Sequence, residues 1–148
     1  MIRAMTGVNY FLRQRDEFLV STDPALLDRS AVYAFLAEAR WWTELTPESL
    51  ARALEHSLCF SLVEGGRQIG FARVITDRVT FAYLCDVFIT EPWRGRGLGS
   101  WLIRSVLEHP DLICLKRISL ITHDAQQFYL GLNFRFSPDC ASYMERLR

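Results

Sequence analysis

The sequence predicts a mixed α/β domain, and three observations carry that prediction. β-type runs at residues 58–63, 69–75 and 81–89 alternate with stretches of helical spacing. Glu64-Gly65-Gly66-Arg67 joins the first two runs, and paired glycines supply the positive φ angles of a tight antiparallel hairpin. The third run passes through Thr90-Glu91-Pro92-Trp93 into an arginine and glycine turn, Arg94-Gly95-Arg96-Gly97-Leu98-Gly99, after which an amphipathic pattern resumes. With 148 residues, half of them hydrophobic, the chain is long enough to bury a real core. No repeat, linker or low-complexity stretch divides it, so one domain over residues 1–148 is expected.

The first β-type run, Phe18-Leu19-Val20, precedes the turn Ser21-Thr22-Asp23-Pro24, with a polar, hairpin-like interruption at residues 13–17 before it. Asp28 or Ser30 then caps a helix that directs Val32, Tyr33, Phe35, Leu36 and Ala39 to the core and ends near Arg40. The adjacent Trp41 and Trp42 either wall an acceptor pocket or close the core beneath a loop. Thr46 followed by Pro47 is a strong helix start, with Leu50, Ala53, Leu54 and Leu58 as its apolar stripe. After the hairpin, a turn at Asp77-Arg78 leads to the run 81–89, whose near-continuous apolar character fits a central strand covered on both faces. Beyond the glycine turn, a helix buries Leu98, Trp101, Leu102 and Val106, faces Arg96, Ser100 and Arg104 outward, and stops at His109-Pro110. Residues 118–121 read as a short strand and 125–130 as a short helix, while Phe134-Arg135-Phe136 and Tyr143-Met144 are the last apolar segments.

Alternating glycines let backbone approach a ligand without Cβ obstruction, and the helix that follows offers unpaired N–H groups at the positive end of its dipole. That geometry suits a pyrophosphate. The turn lacks the Gly-Lys-Ser/Thr ending of a Walker loop and the Gly-x-Gly-x-x-Gly of a dinucleotide fingerprint, and it is not a repeated Arg-Gly tract. Arg94-x-x-Gly97-x-Gly99 between a strand and a helix resembles the acyl-coenzyme A signature of the GNAT superfamily of N-acetyltransferases. A second block, Asp124-Ala125-x-x-Phe128-Tyr129-x-x-x-Asn133-Phe134, resembles the family's C-terminal pattern, in which an Asn or Asp caps a short helix. Asn133 stands where glycine is customary, and asparagine tolerates the left-handed conformation of a helix exit.

The resemblance implies a mixed, mostly antiparallel sheet of six or seven strands flanked by about four helices. It also implies that Val87, Phe88 and Ile89 pair with the pantetheine arm of acetyl-CoA. Arg94, Gly95, Arg96, Gly97, Leu98, Gly99 and Ser100 then hold the phosphates, the glycines and Leu98 mainly through backbone, with Asp124 and Phe128 beside them. Direct attack of an amine on the thioester in a ternary complex is the implied reaction, with Tyr129 the acid on the leaving sulfur and a backbone N–H near Phe88 as oxyanion donor. Asp86 is the leading candidate base, ahead of Glu44 and His123. A carboxylate inside an apolar strand is equally a partner for Arg73 or another arginine.

Seventeen basic and seventeen acidic residues cancel, so no global field attracts nucleic acid or an acidic membrane. The four cysteines and three histidines lack zinc-site spacing, and no metal is expected. Cys59 and Cys85 fall in apolar runs as small hydrophobes, no run reaches membrane-spanning length, and no signal core follows Met1, so a cytoplasmic setting is expected. The expected partner is a small-molecule or peptide amine, with a homodimer as a further expectation. An acyl-CoA sensor that has lost turnover is the alternative reading.

Overall fold

The computed structural model of the chain describes residues 9–39 and 42–148. Among them six strands make one sheet in sequence order: β1 (Leu12–Arg15), β2 (Phe18–Ser21), β3 (Leu58–Glu64), β4 (Arg67–Thr76), β5 (Ala82–Ile89) and β6 (Ile118–Ser119). All neighbours are antiparallel except β5 and β6. Four α-helices accompany the sheet, α1 (Arg29–Glu38), α2 (Pro47–Glu55), α3 (Leu98–Leu107) and α4 (Gln126–Leu130). This is the expected α+β arrangement, with six strands. No helix among the described residues is long and apolar enough to cross a membrane.

Local chemistry explains most boundaries. Asp28 caps α1 by accepting from Ala31 N–H. Thr46 and Ser49 form a reciprocal capping box on α2, with Pro47 in its first turn. The turn between β3 and β4 has Gly65 and Gly66 at φ 56° and 81°. At the next turn the Asp77 carboxylate accepts from the Thr80 hydroxyl and from the N–H groups of Thr80, Val79 and Phe81, and these bonds, the hydroxyl's first, hold its pKa well below the usual range.

Two expectations need correction. The polar stretch 12–15 is itself a strand, β1, paired with β2 through a turn in which Asp16 takes φ 51°. It is an edge strand, so it carries no apolar alternation. β6 has only two residues. The Phe134-Arg135-Phe136 and Tyr143-Met144 segments form no strand, and Phe136, Tyr143 and Met144 are exposed.

The sheet separates two cores. On one face α3 lays Leu98, Trp101, Leu102, Ile103 and Val106 against Phe60, Leu62, Ile69, Ala72, Val74 and Leu84. On the other, Val32 and Leu36 of α1 and Leu50 and Leu54 of α2 meet Phe71 and Phe88. Leu58, placed on the α2 stripe from sequence, belongs to β3 and to the first core. Burying each of these aliphatic side chains stabilises the fold by about 2 kcal/mol.

β5 serves both cores, as its apolar run suggests, but it changes parity midway. Leu84 and Val87 both face the α3 side, although they are three positions apart along the strand, and Phe88 faces α1 and α2. The register with β4 shifts between Phe71 and Arg73, and Asp86 takes φ 51°. A β-bulge at Asp86 accounts for all three facts.

Candidate active site

The glycine turn sits where β5 leaves the sheet. Thr90 N–H donates to Ile69 O at 2.8 Å, and a 3-10 turn at Glu91–Trp93, begun by Pro92, redirects the chain. Trp93 Nε1 donates to Glu64 Oε2 at 2.7 Å while Arg67 lies 5.2 Å over its ring, which anchors the turn to the β3–β4 hairpin. Gly95 and Gly97 take φ 74° and 72°, a region that strains residues with a Cβ. Leu98, 1 % exposed, plugs the start of α3 into the core.

No side chain caps α3. By distance and angle, no backbone carbonyl among the described residues accepts from the N–H groups of Gly95 through Ser100, and the first that does is Gly97 O, from Trp101 N–H. A run of bare amides at a helix start fits an anionic group. The arginine side chains also make contacts within the chain. Arg94 Nε donates to Ile89 O at 2.8 Å, so this side chain braces the turn, and the Arg96 guanidinium lies 5.2 Å from the Phe18 ring.

The second signature converges on the first. A Cβ on Gly99 would stand 3.5 Å from the Phe128 ring and 3.7 Å from Ile89, so the glycine turn, α4 and the end of β5 meet at one place. Asp124 is exposed and does not cap α4. The cap position is Ala125, with no side-chain cap on the helix, and Ala125 N–H donates to Oγ1 of Thr122, three residues before it. Asn133 takes the expected left-handed φ of 66°. Tyr129 packs edge-on against Phe128 and Phe134, and burial pushes its phenol up to about 12. Among the described residues nothing hydrogen-bonds its side chain. It lines a cavity of about 320 Å³ between residues 118–122 and 134–137.

β5 meets β6 only at Ala82 with Ile118 and Tyr83 with Ser119. Beyond Tyr83, no strand among the described residues pairs with the β6 side of β5, including the edge at Val87 and Ile89. An extended ligand can add there as a strand does.

Asp86 lies on the opposite face from α3. Its Oδ2 is 2.6 Å from Arg73 Nε, and both side chains are buried. Arg73 Nη1 donates to Ser57 Oγ at 3.2 Å, and Trp42 stacks 5.6 Å from the guanidinium. Cys59 and Cys85 pair with Arg73 in register on either side, and burial raises both thiols to about 12. The ion pair weighed as the alternative for Asp86 is thus present in the structure. Trp42 covers this row, and Trp41 lies outside the described residues. Glu44 and His123 are exposed.

His109 escaped the sequence reading. It is buried beside Phe11 and Phe60, accepts at Nδ1 from Asp111 N–H, and has its pKa lowered by burial. It lines a second cavity, about 670 Å³, with Arg29, Ser57 and Cys59, which includes none of the expected site residues. Its position before Pro110 read only as a helix stop.

An α+β domain with an open strand edge and a collar of bare amides at the end of that strand offers a place for an extended anionic ligand. The chain is a member of the Acetyltransferase (GNAT) family, whose sequence profile matches residues 24–134. It is 35% identical over 136 residues to a protein of Gibberella zeae assigned to the acetyltransferases, covering 78% of this chain and 77% of that one. A crystal structure of a protein from Xanthomonas campestris pv. campestris, assigned to the same family, superposes with TM-score 0.84 at 42% identity over 88% of this chain and 93% of that one. The fold is also that of a GNAT family acetyltransferase from Elizabethkingia anophelis, solved with acetyl-CoA bound, at TM-score 0.59 and 14% identity over 80% and 74% of the two chains.

Proposed function

We propose that residues 1–148 act as one N-acetyltransferase domain that moves the acetyl group of acetyl-CoA to a primary amine in a ternary complex. The convergence of the bare amides of residues 95–100, the Phe128 ring and the unpaired edge of β5 carries this reading. The amides receive the pyrophosphate, and the outer edge of β5 at Val87 and Ile89 pairs with the pantetheine arm. A nitrogen–carbon bond forms as the carbon–sulfur bond breaks; the amine nitrogen gives up one proton and the sulfur gains one.

Tyr129 donates toward the departing sulfur. At about 12 its hydroxyl stays protonated throughout the physiological range. Because an alkyl thiol titrates near ~8.5, full transfer from this phenol is uphill, and Tyr129 acts chiefly as a hydrogen-bond donor to the developing thiolate. Acceptor binding falls to the face covered by α1, α2 and Trp42, which suits an amine-bearing small molecule or peptide. Four free cysteines agree with a reducing, cytoplasmic setting.

Thermal denaturation with and without acetyl-CoA tests the cofactor. Saturating ligand raises the midpoint by several degrees in this reading, and no shift at millimolar acetyl-CoA removes it. With an acceptor found by screening amines for coenzyme A release, Tyr129→Phe lowers turnover about tenfold and changes acetyl-CoA affinity less than twofold. Equal turnover in the variant removes the donor role. Silence across the panel from a protein that acetyl-CoA stabilises identifies a sensor instead.

A further inference from the structure

The bulge in β5 decides which peptide groups face the open edge. Thr90 N–H donates to Ile69 O, and Gly70 stands opposite Ile89 and Phe71 opposite Phe88. The alternation of an antiparallel ladder then turns Phe88 inward to β4 and the peptide groups of Val87 and Ile89 outward. At the other end of the strand Ala82 N–H points outward, to Arg117 O at 3.3 Å, so there Ala82 and Leu84 are the outward pair. Outward positions are even before Asp86 and odd after it. Without the extra residue, Val87 N–H would be spent on β4.

The bulge does not rest on glycine. Asp86 holds φ 51°, a conformation unfavourable for most residues and tolerated best, after glycine, by asparagine and aspartate. Its carboxylate reaches back to Arg73, the β4 residue in register with the preceding Cys85. Two successive residues of β5 therefore meet Arg73, Cys85 through the strand register and Asp86 through its carboxylate, and Ser57 and Trp42 hold the guanidinium in turn. A side chain fixed on its far side by three elements cannot swing with the strand.

We propose that the Arg73–Asp86 ion pair pins the β5 bulge and thereby aims Val87 N–H at the thioester carbonyl of acetyl-CoA, so that Arg73 and Asp86 are positioning residues that never touch the reacting atoms. The proposal rests on the acetyl-CoA reading above. It specifies the oxyanion donor near Phe88 as the N–H of Val87, and it gives the buried carboxylate a role other than general base.

The test compares acetyl-CoA with coenzyme A by calorimetry, since only the former carries the carbonyl. Wild type is expected to bind acetyl-CoA about three- to tenfold more tightly, the worth of one hydrogen bond. Asp86→Gly keeps the backbone freedom and removes the pin; it brings the ratio to about one while leaving coenzyme A affinity within twofold. Asp86→Asn and Arg73→Lys, which preserve a polar contact, retain part of the preference. In NMR spectra of labelled protein, the Val87 amide resonance shifts on adding acetyl-CoA but not coenzyme A, and Asp86→Gly abolishes that difference. An unchanged ratio and an unchanged Val87 response in Asp86→Gly overturn the proposal, as does equal loss of both ligands. If wild type binds neither ligand, it is the acetyl-CoA reading that fails. The pin is then judged in ligand-free protein, where Asp86→Gly must move the Val87 amide resonance if the pair holds the bulge; an unmoved resonance overturns it.

Discussion

The backbone turns left-handed at two places along or just beyond β5, and the two are built by different means. At Gly95 and Gly97 the absence of a side chain makes the conformation cheap, and the freed amides are left bare. At Asp86 a side chain accepts the unfavourable φ and is tied down by Arg73. The first is a surface for a ligand; the second is a joint inside the protein. Disturbing the joint should cost stability first, and disturbing the turn should cost binding first.

Arg73→Met is the strongest way to break that contrast. Removing the guanidinium from a buried carboxylate costs about 3 kcal/mol of unfolding free energy, measured by urea denaturation. A loss under about 1 kcal/mol would show that Asp86 holds its shape unaided. Alkaline pH probes the same row. Cys59 and Cys85 titrate at about 12 in the folded protein against 9.0 as the ordinary value. Above pH 9 the unfolded chain has shed thiol protons that the folded chain keeps, so stability falls as pH rises, by about 2 kcal/mol between pH 9 and 10. Replacing both cysteines by alanine should flatten that decline.

Gly97→Val addresses the turn. It costs about 1–2 kcal/mol of stability from the left-handed strain, less than Arg73→Met, and weakens acetyl-CoA binding at least tenfold. Comparable stability losses for the two variants would erase the distinction drawn above. Gly99→Ala is the smallest expected effect, under twofold in affinity, because its Cβ meets Phe128 and Ile89 at ordinary van der Waals distance.

The same contrast explains what could be read from the sequence. Thr46-Pro47, Glu64-Gly65-Gly66-Arg67 and the glycine turn are local devices, in which the residues that need a conformation are the residues that supply it. β1 was hidden because Leu12-Arg13-Gln14-Arg15 gains its strand character from β2 alone. The bulge was hidden because Asp86 is stabilised by Arg73, thirteen residues away. Sequence could offer the pair only as one of two options. The cap of α4 was read onto Asp124, whereas no side chain caps that helix and Thr122 accepts from the Ala125 amide before it.

Two cores separated by a sheet also bear on how such a chain diversifies. In the proposed reading the cluster of Val32, Leu36, Leu50, Leu54, Phe71 and Phe88 lies toward the acceptor, while the α3 cluster underlies the coenzyme. Substitutions that reshape α1 and α2 are absorbed within their own small cluster, so acceptor preference can drift among descendants while the carrier-binding half is inherited unchanged.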